Sequence, residues 1–257
     1  MSGELAGHRV VVTRASRQAS GLVERLESRG ATVEPLSLLE ILAPQDSRPL
    51  ERAATELALY DWLVLTSANA VESLLPLAGG TLPSRLGVAV IGGATARSLR
   101  GYGVEPALVA ERSQAEGLAE LLEPRVRRRR RVLLPQAEDA RPLLAERLEA
   151  AGAEVVRVAA YRKRLPEGAA ERARSLFAEK PWGWVTFTSP STVRYLVEAL
   201  GPLWIEGRET LLAASIGPVT SAELGRQGAA PAAQAHSPSD AGLVDAIVAA
   251  VSSRRRS

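Results

Sequence analysis

Two similar doubly wound α/β domains, each with a parallel sheet, are what this sequence predicts, on three observations. Short runs of Val, Leu and Ile alternate with apolar patterns at helical spacing along nearly all of the 257 residues, the signature of successive βα units. The strand-like runs are apolar throughout rather than at every second residue, which implies burial on both faces and hence parallel strands covered by helices. The whole order of signals also occurs twice.

The repeat justifies the elements in turn. Arg9-Val-Val-Val-Thr13, Gly21-Leu-Val-Glu-Arg-Leu-Glu27 and Gly30-Ala-Thr-Val33 answer to Arg131-Val-Leu-Leu-Pro135, Leu143-Leu-Ala-Glu-Arg-Leu-Glu149 and Gly152-Ala-Glu-Val155, each pair 122 residues apart. Asp61-Trp-Leu-Val-Leu-Thr-Ser67 and Gly183-Trp-Val-Thr-Phe-Thr-Ser189 keep that spacing. Ile91-Gly92 and Ile216-Gly217, like Leu118 and Leu243, stand 125 apart, so a small insertion separates the two blocks. In the first half the pattern predicts strands near 9–13, 32–35, 62–66, 87–91 and 106–109, with helices near 17–28, 50–58, 69–77, 94–100 and 115–122. The second half predicts strands near 131–134, 154–158, 184–188, 211–216 and 231–234, helices between them, and a last helix near 239–250. Two connectors, Pro35 to Pro44 and Val156 to Pro166, begin as extended runs and are stopped by Pro. The repeat alone leaves open whether the halves are tandem domains or exchange their first βαβ pieces.

Composition restricts the chemistry. Apolar residues make up 46% and charged residues 24%; there is no Cys, and the two His are His8 and His236. A disulfide scaffold, a structural zinc tetrad, an iron–sulfur site and a thiol nucleophile are thereby excluded. Reactivity falls to hydroxyls, carboxylates, Arg or the backbone. The start lacks the basic flank and apolar core of a signal peptide, and no run approaches the roughly 18 apolar residues of a membrane span. A soluble, cytoplasmic protein is expected. The net charge of +3 comes with runs at Arg125, Arg127 to Arg131 and Arg254 to Arg256. Acidic residues nearly balance Arg elsewhere, and the runs sit at a strand entry and a terminus, so nucleic acid is not the expected partner.

Ligands of open α/β sheets bind at turns that follow the strands, where helix N-termini present unpaired N–H groups. Four such turns stand out: Thr66-Ser67-Ala68-Asn69 with Glu72, Gly92-Gly93-Ala94-Thr95, Thr188-Ser189-Pro190-Ser191, and Gly217-Pro218-Val219-Thr220. Helix capping explains each one singly: Asn69 with Glu72 reads as a capping box, and Pro190 and Pro218 suit a first helical position. Their recurrence in both halves suits an anion-binding cleft. Arg14, just past the first strand, is a candidate carboxylate clamp or an ordinary surface Arg. Tyr161 in the second connector is a candidate proton donor or an amphipathic interface residue. Nucleotide-binding glycine motifs and the serine-hydrolase elbow are absent from the sequence.

Taken together, Val-Val-Val-Thr-Arg14, Leu-Thr-Ser-Ala-Asn69, Ile-Gly-Gly-Ala-Thr95, Ala-Tyr161-Arg, Phe-Thr-Ser-Pro-Ser191 and Ser-Ile-Gly-Pro-Val-Thr220 resemble the uroporphyrinogen-III synthase family, from about residue 8 to about residue 250. The resemblance implies two α/β domains joined by a two-stranded connector, one from residues 1–37 and 166–257 and the other from 40–160. It therefore implies exchange rather than tandem halves. It also implies a hydro-lyase of haem biosynthesis that cyclises hydroxymethylbilane, with loss of water and inversion of the last ring, and uses no cofactor or metal. Carried onto this chain, Tyr161 becomes the proton donor, Thr95, Ser189 and Thr220 become hydroxyl contacts, and the turns at Thr66 to Asn69 and at Gly217 become substrate-binding amides. A small-molecule tetrapyrrole is the implied partner, with no nucleic acid and no membrane, and the chain is expected to act as a monomer. Hinge motion about the connectors is a further expectation. The rival classes are a two-lobed binder of a small anion, with the same cleft and no turnover, and, more weakly, a nucleic-acid adaptor.

Overall fold

The computed structural model describes residues 3–14, 16–110, 115–127, 129–179 and 181–254. Its elements in chain order are β1 (Arg9–Val12), α1 (Ser16–Ser28), β2 (Thr32–Pro35), β3 (Glu40–Leu42), α2 (Arg48–Thr55), β4 (Trp62–Leu65), α3 (Ala68–Leu74), β5 (Gly87–Ile91), α4 (Gly92–Arg100), β6 (Leu108–Ala110) and α5 (Ala115–Leu122). They continue as β7 (Arg131–Ala137), α6 (Leu143–Ala150), β8 (Glu154–Arg164), α7 (Ala169–Leu176), β9 (Gly183–Phe187), α8 (Pro190–Leu200), α9 (Pro202–Gly207), β10 (Leu211–Ser215), α10 (Pro218–Arg226), β11 (Pro231–Gln234) and α11 (Asp240–Arg254). The architecture is α/β, as the sequence predicts. Two short elements, β3 and α9, escape the periodicity because three to six residues are too few to establish it. Two strands, β7 and β8, outrun the predicted 134 and 158: polar Gln136 and the run Arg162, Lys163 and Arg164 fall outside the apolar pattern, while backbone pairing continues through Gln136.

Two compact units result, one of Met1–Glu40 with Arg164–Ser257 and one of Ile41–Lys163. The first has a five-stranded sheet in the order β11-β10-β9-β1-β2, and the second a six-stranded sheet in the order β3-β8-β7-β4-β5-β6. Each sheet thus takes its leading βαβ pair from one half of the repeat and its remaining strands from the other, three in the first unit and four, counting β3, in the second. The registers reproduce one another: Val10 pairs with Trp184 in the first unit, and Val132 with Trp62, 122 residues away on both strands, in the second. Arg9 with Thr32 and Arg131 with Glu154 match in the same way. Pairings among β1, β2, β9, β10 and β11, and among β4 to β8, are parallel.

Alternation along these strands feeds a core on both faces. Val11 packs with Val185 and Phe187, whereas Val10 and Val12 join Leu22 and Leu26 of α1 and Leu243 and Ile247 of α11. In the second unit Leu63 and Leu65 face one cluster and Val64 the other. Burying each such side chain contributes roughly 1.5–3 kcal/mol. Helices α1 and α6 stop in the same way: Gly30 and Gly152 adopt φ of 90° and 97°, which only glycine tolerates without strain. The next residue then donates back to the last turn, Ala31 N–H to Leu26 O and Ala153 N–H to Leu148 O.

Arg130 and Arg131 of the basic run are tied into the entry of β7. Asp61 accepts from the Arg130 guanidinium and from the Arg131 N–H at 2.9 Å, while Arg131 pairs with Glu154 at 3.0 Å and lies over the Tyr60 ring. Burial pushes the Asp61 carboxyl up, but these hydrogen bonds outweigh it and the net shift is downward. Arg128, Arg255 and Arg256 of the two runs lie outside the described residues.

Candidate active site

Helices α3 and α4 in the second unit, and α8 and α10 in the first, begin just past the ends of β4, β5, β9 and β10. The four predicted turns therefore do lie where N–H groups gather. The cap of α3 is Ser67 and not the expected Asn69: Ser67 is extended at φ −156°, and its Oγ accepts the Ala70 N–H at 3.2 Å. Helical backbone already starts at Ala68, which places Asn69 inside the first turn and rules out a box with Glu72. The repeat partner Ser189, at φ −163°, accepts the Thr192 N–H at 3.3 Å, with Pro190 at the first helical position. Pro218 likewise opens α10, capped by extended Gly217. Gly92, at φ 75°, starts α4 in a conformation a side chain would strain.

Tyr161 is brought to α3 by an irregularity in β8. Gln136 pairs with Ala159 but Ala137 with Tyr161, so Ala160 is an extra, bulged residue. The bulge keeps Tyr161 on the face of Val156 and Val158, within the core that also holds Val71 and Leu74 of α3. Its ring is buried, and its hydroxyl stands 3.1 Å from Ser67 Oγ. Ser67 thus serves both the helix amide and the phenol. With one lone pair engaged by the Ala70 N–H, its own O–H is available to the phenol oxygen.

Other candidates are placed differently. Thr95 and Thr220 are 3% and 2% exposed, at matching positions of α4 and α10, so little of either hydroxyl is accessible. Ser191 is buried and accepts from the Arg194 guanidinium at 3.3 Å. Thr66 and Thr188 are half-buried in the two serine turns. Arg14 is engaged within its own unit: its guanidinium meets Asp240 at 2.7 Å, so a ligand carboxylate would have to compete with that pair. A depression of the first unit, about 580 Å³ with Arg9 and Arg172 in its lining, lies by the start of β1 and not by these turns.

The chain matches the family model described as Uroporphyrinogen-III synthase HemD over residues 20–245. The chain belongs to the uroporphyrinogen-III synthase family. Among its relatives, the Uroporphyrinogen-III synthase of Synechococcus elongatus is 33% identical over 84% of this chain and 85% of that protein. That of Chlorobaculum parvum is 26% identical over 85% of this chain and 89% of that protein. Among solved structures, a mutant Uroporphyrinogen III Synthase of the extremely thermophilic bacterium Thermus thermophilus is similar with a TM-score of 0.72 at 19% identity, covering 96% of this chain and 100% of that one. Uroporphyrinogen-III synthetase of Helicobacter pylori follows at 0.62 and 20% identity, covering 94% and 99%. These two likenesses concern the fold.

Three groups beside the uroporphyrinogen-III synthase family motifs carry no mark in the sequence pattern. Glu223, buried on α10, meets the guanidinium of Arg226, the Gln227 amide at 3.1 Å and, at 3.7 Å, Arg194 of α8, which in turn reaches Ser191. A buried carboxylate so surrounded keeps the openings of α8 and α10 in fixed relation. Lys163 and Asp139, paired at 3.3 Å, stand next to Tyr161. The two-residue spacing of Tyr161 and Lys163 is a usable signal once β8 is known to extend that far; Asp139 leaves none. Among the described residues no helix is long and apolar enough to cross a membrane.

Proposed function

We propose that this chain catalyses the uroporphyrinogen-III synthase reaction: hydroxymethylbilane loses its hydroxyl as water and closes, with its last ring inverted, to uroporphyrinogen III. Family membership over most of the chain supports the activity, and the contact between Tyr161 and Ser67 at the opening of α3 carries the mechanism. The Tyr161 phenol donates its proton to the departing hydroxyl as the carbon–oxygen bond breaks, and water leaves. The Ser67 O–H then hydrogen-bonds the phenolate. The substituted α-carbon of the last ring closes onto the freed methylene, its bond to the neighbouring bridge breaks, and that bridge re-bonds to the other α-carbon, whose lost proton restores the phenol and balances the cycle. Within each unit the capped helix openings, at Ser67 and Gly92 in one and at Ser189 and Gly217 in the other, carry N–H groups suited to acetate and propionate carboxylates. Because the free substrate closes spontaneously to the uninverted isomer, most of the task is holding a conformation. The linear tetrapyrrole is the partner of this reading, a monomer its form and the cytoplasm its compartment.

The test is incubation of the purified protein with fresh hydroxymethylbilane, oxidation, and separation of porphyrin isomers I and III. Isomer III in excess supports the reading. Isomer I alone from a folded sample would leave a non-catalytic binder of anionic small molecules as the better account.

A further inference from the structure

The chemistry around Tyr161 extends beyond its hydroxyl. Tyr161 and Lys163 are two residues apart on β8 and so project from one face. The Lys163 ammonium lies 5.9 Å from the Tyr161 ring centroid, its side chain only 21% exposed. Lysine ammonium groups are strongly hydrated and normally reach for water, so a largely buried one needs an anion or a ring to replace that water. The anion here is Asp139, just past β7, at 3.3 Å and 51% exposed. A carboxylate half in water holds a cation weakly and exchanges readily.

The neighbours of Lys163 have different tasks. Arg162 donates to Ala43 O at 3.2 Å and Arg164 pairs with Glu40 at 2.8 Å, so both fasten the β3 segment to β8. Glu138, next to Asp139, accepts the Gln45 N–H at 2.6 Å. The Lys163–Asp139 pair fastens neither segment. It places one positive charge against the face of the phenol, under an anion that can leave.

We infer that Lys163 binds a carboxylate of the tetrapyrrole beside Tyr161, and that Asp139 is the counter-ion which this carboxylate displaces. The inference rests on the proposed reading of Tyr161 as the proton donor. An acetate or propionate in the place of Asp139 keeps the ammonium neutralised and fixes one pyrrole ring against the phenol. No covalent bond changes; one carboxylate replaces another on the same three N–H donors.

The two members of the pair then have opposite effects, which an ion pair serving only stability cannot produce. Binding is read with uroporphyrin III, the stable oxidised form of the product, by quenching of tryptophan fluorescence; turnover is read with the isomer assay, and folding by thermal melts. Lys163→Gln is expected to raise Kd and KM about tenfold with kcat within about threefold, and Lys163→Arg to recover most of that loss. Asp139→Asn is expected to lower Kd about two- to threefold, since the ammonium no longer has to be released. An unchanged Kd in Lys163→Gln, or weaker binding in both variants with equally lowered melting, overturns the inference. Isomer III from the wild type with an unchanged Kd in Lys163→Gln removes this inference alone. Isomer I alone from the wild type, with uroporphyrin binding still weakened in Lys163→Gln and tightened in Asp139→Asn, removes the catalytic reading and leaves the carboxylate site.

Discussion

Ser67→Ala separates the two tasks of one hydroxyl. The first loss is the cap: the Ala70 N–H gives up its 3.2 Å partner, a loss typically worth about 1 kcal/mol. The second falls on Tyr161, whose hydroxyl loses its 3.1 Å contact, a bond worth about 0.5–1.5 kcal/mol. Ser67→Ala should therefore destabilise by about 1.5–2.5 kcal/mol. Ser189→Ala provides the control, since the matching serine accepts the Thr192 N–H in the same cap bond; it should cost only about 1 kcal/mol. Urea titrations followed by circular dichroism measure both. A double-mutant cycle with Tyr161→Phe isolates the hydroxyl contact, with an expected coupling of about 1–2 kcal/mol. Equal costs for the two serines, together with additivity in the cycle, would refute the assignment of a shared hydroxyl.

Three further outcomes are expected. Tyr161→Phe should lower kcat about a hundredfold without abolishing turnover, because positioning survives the loss of one donor; steady-state rates showing either no change or complete inactivation of a folded variant would contradict this. Asp61→Asn should cost about 0.5–1 kcal/mol at pH 7, the range being kept small because the carboxylate is one-third exposed. Since the folded-state pKa of Asp61 lies below its ordinary 3.8, that contribution is present above the ordinary value and fades as pH falls through the folded value; urea midpoints of the two proteins should converge in acid, and a gap that does not narrow as pH falls would count against a charge effect. Gly207→Ala would place a methyl group within 2.0 Å of the buried Trp182 ring, and a loss of about 1–3 kcal/mol is expected in thermal melts; an unchanged melting temperature would show that the ring can yield.

The helical caps illustrate how far the sequence can be read. Ser67 and Ser189 stand in the same phrase, Thr-Ser after an apolar strand, and both cap in the same way. Asn69 reads as the cap only if helical backbone begins two residues later than it does, a difference that local pattern rarely settles. Tyr161 is legible as a candidate, but its partner is not: Ser67 meets it only because one bulged residue turns the strand. Arg14 reads as a clamp or a surface Arg from its place after β1, while its partner in the fold, Asp240, stands 226 residues away and leaves no local trace.

Order and type of elements, the two-fold repeat, burial on both sheet faces and the glycines that end α1 and α6 are written in the sequence, because periodicity, capping and backbone freedom act over a few neighbouring residues. The tertiary structure alone shows that β1 and β2 pair with the strands of the opposite half. Both pairings bury the same apolar runs in the same register, so local energetics does not distinguish them. Contacts between Tyr161 and Ser67, Lys163 and Asp139, and Glu223 and Arg194 are likewise decided there. Each depends on where two distant backbones come to lie, and hydrogen bonds and ion pairs act only once those positions are fixed to within a few tenths of an ångström.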